Sequence, residues 1–91
     1  MKIIRKRPGQ APEVVETENS LKALQTQVDG YIECMTIATD CALICNEKGM
    51  LYGLTRQEWL GMKWFGTVLM VGISGDEFTD IPAYLAKRYG R

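Results

Sequence analysis

Ninety-one residues support one core and no second domain, and a chain this short buries only roughly 60–65% of its unfolded surface, so pairing would help it. An apolar fraction of 46% with 24% charged residues excludes disorder, and a formal net charge of zero speaks against a binder of polymeric nucleic acid, which needs a basic surplus. Histidine is absent, which removes the commonest general base and the commonest metal ligand together.

Met1 runs into Lys2-Ile3-Ile4-Arg5-Lys6-Arg7 with no apolar leader region behind it, so the chain reads as cytoplasmic. Val68 to Ile73, the longest apolar run, is too short to cross a membrane. Ile3 and Ile4 open a first strand, Pro8-Gly9-Gln10 supplies a turn, and Glu13-Val14-Val15-Glu16 returns. That loop sets Lys2 against Glu16, Ile3 against Val15 and Arg5 against Glu13. The basic run thereby becomes one side of a charge-paired hairpin. Asn19 or Ser20 caps a short helix with Leu21, Leu24 and Val28 on one face, and Gly30 ends it in the left-handed position.

Tyr31 to Ile37 and Cys41 to Asn46 form the next two strands. The second is apolar on both faces, which marks a central, covered strand. From Met50 to Lys63 the pattern is irregular, and Thr55-Arg56-Gln57-Glu58 fits a capping box for one or two helical turns. Gly66 to Ile73 is a further strand apolar on both faces. A last helix follows from Asp80 and Pro82, with Ile81, Leu85 and Tyr89 on one face and Gly90 as its stop. The expected fold is a single α+β domain over residues 1–91: a mixed or antiparallel sheet of about five strands, two main helices and a short helical insertion, in ββαββ-βα order. Two strands apolar on both faces exceed what two short helices can cover, which predicts a homo-oligomer.

The run Pro8-Gly9, Glu13-Val14-Val15, Leu21-Lys22-Ala23-Leu24-Gln25, Val28-x-Gly30-Tyr31-Ile32-Glu33, Ile44-Cys45-Asn46-Glu47-x-Gly49 and Gly66-Thr67-x-x-x-x-Gly72 resembles the domain-of-unknown-function family thirty-eight forty-six. The likeness covers nearly the whole chain. It implies a provenance in bacteria, their phages and conjugative elements, with no assigned chemistry. The chain departs from the family's pattern at Leu54 to Phe65, where Trp59 and Trp64 stand in place of a Pro- and Asn-containing loop.

Each candidate site has a structural rival. Glu33 and Glu47 invite an acid–base pair, against solvated carboxylates, which are favoured. Asn46 can read a ligand's amide or base edge, or tie its own turn. Cys34, Cys41 and Cys45 have no CxxC spacing and no activating base, so they read as free, buried thiols and not as a metal site or nucleophile. Tyr31, Glu33, Asn46, Tyr52, Arg56, Trp59, Lys63 and Trp64 form the ligand-binding set. Its rings can stack on a base and its cations can meet a phosphate, although each tryptophan taken singly fits core packing or self-association better. These features, with the implied provenance, predict a non-enzymatic phage or mobile-element protein without a cofactor, one that sequesters a small nucleotide immune signal. The alternative is an inhibitor or adaptor that binds a host protein, with Trp59 and Trp64 as anchors. A hydrolase using Glu33 and Glu47 is the third reading.

Overall fold

The computed structural model describes residues 1–90. Strand β1 (Lys2–Lys6) and strand β2 (Glu13–Glu16) form the expected hairpin, with Lys2 opposite Glu16, Ile3 opposite Val15 and Arg5 opposite Glu13. Helix α1 (Leu21–Val28) starts on Ser20, whose hydroxyl accepts from the Ala23 N–H at 3.1 Å. Leu24 and Val28 are buried, whereas Leu21, placed on the same face from spacing, is exposed in the first turn. The left-handed residue at the helix end is Asp29, with φ 62°. Gly30 is required for a different reason, because a Cβ there would stand 2.7 Å from Asn46 Nδ2.

Strands β3 (Ile32–Ala38) and β4 (Cys41–Asn46) follow. The segment read as a short helical insertion is a second hairpin, β5 (Arg56–Trp59) and β6 (Met62–Phe65). Leu60 and Gly61 turn it with φ of 55° and 72°, the two positive values that a two-residue hairpin loop demands. Leu-Gly carries little of the usual turn chemistry, so the hairpin reads poorly from local sequence. Strand β7 (Val68–Ser74), a short strand β8 (Glu77–Thr79) and helix α2 (Ala83–Tyr89) complete the chain. The order is therefore ββαββββββα, in place of the expected ββαββ-βα.

The main sheet is antiparallel throughout, in the order β2-β1-β7-β4-β3, with β8 also paired to β7. Gly72 allows the chain leaving β8 to cross tightly, since a Cβ there would strike the Asp80 carbonyl. Asp80 does not cap α2. Its Oδ1 accepts from the Lys2 N–H at 2.8 Å, and Pro82 occupies the cap position.

Both faces of the central strands are covered from within the chain. On one face Leu24 and Val28 of α1 pack on Ile3, Ala42, Ile44, Leu69 and Val71. On the other, Trp64 of the small hairpin and Leu85 of α2, with Ile81 just before that helix, pack on Ile4, Leu43, Val68 and Met70. The doubly apolar strands therefore need no second subunit as a lid, because the hairpin supplies the cover that was assigned to one.

Candidate functional site

An open cleft of about 300 Å³ lies between the β3–β4 edge of the sheet and β6. Glu33 and Met35 of β3 form one side. Lys63, Trp64 and Phe65 of β6 form the other, and Cys45, Asn46, Glu47, Gly49 and Met50 close the end. Alternation along the strands sets this arrangement: Glu33 and Met35 pair with Cys45 and Leu43 on the hairpin-facing side of the sheet.

The closing turn is held firmly. Asn46 is buried, and its Nδ2 donates to the Val28 and Asp29 carbonyls at 3.0 and 3.2 Å, while its Oδ1 accepts from the Lys48 N–H at 2.8 Å. The Tyr52 and Leu54 N–H groups donate to the Lys48 and Gly49 carbonyls, both at 2.9 Å. Gly49 lies so close to the Phe65 carbonyl that a side chain has no room. From this rigid base Met50, Leu51 and Tyr52 project into solvent, 72, 76 and 63% exposed.

The sequence-derived candidates divide by position. Glu33, Asn46, Lys63 and Trp64 line the cleft, joined by Glu47. Asn46 serves the backbone with its amide, as the turn-tying alternative expected. Trp64 is only 6% exposed, and its Nε1–H donates to the Trp59 carbonyl at 3.0 Å, so the ring belongs to the core and offers no face for stacking. Trp59 is half-buried and meets Tyr89 edge-on, with ring centres 6.2 Å apart and planes at 79°. Arg56 lies outside the cleft with Glu58, its Nη2 3.2 Å from Oε1. Tyr31 and Tyr52 are exposed. The eight residues thus do not converge on one ligand.

Of the three thiols read as buried, Cys41 is buried and Cys45 half-buried, but Cys34 is exposed on β3. Desolvation pushes all three above the usual thiol range, by neighbouring side chains alone at the exposed Cys34, and helped by Asp40 at Cys41 and by Glu33 at Cys45. None therefore has the electropositive setting that makes a nucleophile. Among the described residues no cluster of three or more cysteine, aspartate or glutamate side chains is placed to hold a metal ion, and no helix is long and apolar enough to cross a membrane.

Sequence reasoning missed Met50 and Leu51. Their signal is three consecutive large apolar residues inside a turn, Met50-Leu51-Tyr52, which core packing does not call for.

Fold and site together define a small α+β domain whose antiparallel sheet carries a mixed apolar and acidic cleft under an apolar turn. The chain belongs to the family described as Domain of unknown function (DUF3846), whose family model matches residues 1–91. No curated protein and no solved structure matches it.

Proposed function

We propose that this chain is a non-enzymatic interaction domain that docks a partner protein through the Met50-Leu51-Tyr52 turn and the adjoining cleft. One observation carries the reading: three consecutive large apolar side chains are held in water by a turn whose backbone is fixed from beneath. Scattered exposed apolar residues are ordinary, but a contiguous, pre-ordered group next to a groove is the anatomy of a docking site. Met50 joins the turn to the cleft, where Met35 and Phe65 extend the apolar surface. A turn already ordered before binding loses little conformational entropy on docking.

Sequestration of a nucleotide draws less from the same geometry. A base needs an open ring and a phosphate needs uncommitted cations. Here Trp64 is in the core, Arg56 is engaged by Glu58, and Lys63 shares the cleft with the two carboxylates Glu33 and Glu47.

The test is Leu51→Asp, with folding verified by circular dichroism. A partner captured by the wild-type protein should be lost, with affinity falling by about 2 kcal/mol or more, the scale of a hot-spot residue. Identical capture by both proteins would refute the reading. Calorimetry against cyclic dinucleotides, cyclic trinucleotides and ADP-ribose derivatives should find nothing tighter than about 10 μM (roughly −7 kcal/mol); tighter binding would restore the sequestration reading.

A further inference from the structure

We infer that β3 is a self-pairing edge: two copies of the chain join antiparallel along Tyr31–Ile37 about a two-fold axis at Cys34, making one continuous sheet.

The two edges of the sheet are built differently. At the β2 edge the strand has four residues with a carboxylate at each end, Glu13 and Glu16. Short, charged edges of this kind resist pairing. At the other edge β3 has seven residues, one charge (Glu33), no proline and no lysine. Every residue from Glu33 to Ala38 is exposed, including Met35 at 47% and Ile37 at 40%. A long edge of this composition is an open template for another strand.

Backbone alternation fixes which groups are free. The Glu47 N–H donates to the Tyr31 carbonyl at 2.8 Å, so Tyr31 turns its polar groups toward β4. With a period of two, Glu33 and Met35 do the same, and Ile32, Cys34 and Thr36 direct theirs outward. The register against β4 is regular from Ile32 to Thr36 and shifts only between Thr36 and Ala38. Cys34 is the centre of the regular stretch. An axis there opposes Cys34 to its own copy and Ile32 to Thr36, satisfying about six hydrogen bonds. It sets Glu33 against Met35 and Tyr31 against Ile37, so no like charges meet and the exposed apolar side chains gain partners.

The occupant is a second copy because the strand is its own complement in this register, as an isologous two-fold contact requires. A net charge of zero leaves no overall repulsion between copies. The inference is independent of the apolar turn, so Leu51→Asp should leave the pairing intact.

Sedimentation over about 5–500 μM chain should show a reversible rise from one to two chain masses. Cys34→Pro removes the outward N–H at the axis without touching a bond to β4, so the variant should stay folded by circular dichroism and remain monomeric. Met35→Lys and Met35→Glu give a second, register-specific reading. The new ammonium faces the partner copy's Glu33 and should hold or tighten the dimer, more so at low salt. The new carboxylate faces that same group and should weaken it at least tenfold. A wild-type chain that stays monomeric across the range, or equal effects of the two Met35 substitutions, would overturn the inference.

Discussion

Asn46 commits its whole amide to the backbone, with two donated bonds to carbonyls at the end of α1 and one accepted from Lys48. Removing it strands those groups in a buried place, where each lost bond costs about 1 kcal/mol or more. Asn46→Ala should therefore lower stability by about 2–3 kcal/mol in urea unfolding, through the midpoint and not the slope. Asn46→Asp should be worse, because a carboxylate would face two carbonyl oxygens. Glu13 works at the surface instead. Hydrogen bonds from Arg5 at 2.7 and 3.1 Å, and the nearby Arg7, hold its carboxyl below the usual range. A carboxylate with a depressed pKa stabilises fully above its unfolded pKa, and that contribution is lost as pH falls through the folded value. Glu13→Gln should thus be less stable than the wild type near pH 7, and the difference should shrink away as pH falls toward about 3 in urea melts across that range.

The β5–β6 hairpin is a lid, and Trp64 is its peg. Its ring packs among Ile4, Leu43, Val68 and Met70, while buried Gln57 straps the hairpin to β1 through the Lys6 ammonium at 2.8 Å and carbonyl at 3.0 Å. Trp64→Ala should cost about 3–5 kcal/mol, as expected for a large core ring, and its effect should be read in thermal unfolding. A substitution that removed only a ligand contact would leave that transition in place. This hairpin also marks where the sequence became illegible. The first hairpin announces itself through a Pro-Gly turn and opposed charges, and β4 through an unbroken apolar run. In the second hairpin Gln57, Trp59, Met62 and Trp64 do alternate inward, but Leu60-Gly61 conceals the turn and Thr55 to Glu58 imitates a helix start. Period two is present there, and the local turn chemistry contradicts it.

At the scale of the molecule, the lid and the two helices cover both faces of β4 and β7 within one chain. A sequence in which that hairpin is hidden leaves two doubly apolar strands without cover, which is why it points to a second subunit. With the lid in place, the part of the sheet left open is the edge at β3, a feature of strand order that local patterns do not reveal. The cleft was legible in parts. Glu33, Asn46, Lys63 and Trp64 were all singled out, but their roles depend on which face each occupies, and that follows from the register between β3, β4 and the lid. Of the exposed turn only Tyr52 reads as a surface residue from the sequence, because Met50 and Leu51 lie in an irregular stretch where no periodicity shows which side chains face water.

Strand β7 pairs with β1, β4 and β8, and it is the only link among the described residues that joins the β1–β2 hairpin to the β3–β4 hairpin within the sheet. During synthesis, the first two thirds of the chain can therefore form two separate ribbons but no core, because Leu69, Met70 and Val71 have not yet emerged. Closure waits for a strand distant in sequence from β1, which is the contact pattern of a slow folder. A fragment ending at Thr67 should show no cooperative thermal transition, whereas the full chain should unfold in one step. Until Val68 emerges, the apolar faces of both ribbons stand open, and a stalled or truncated product is exposed to aggregation and proteolysis at that stage.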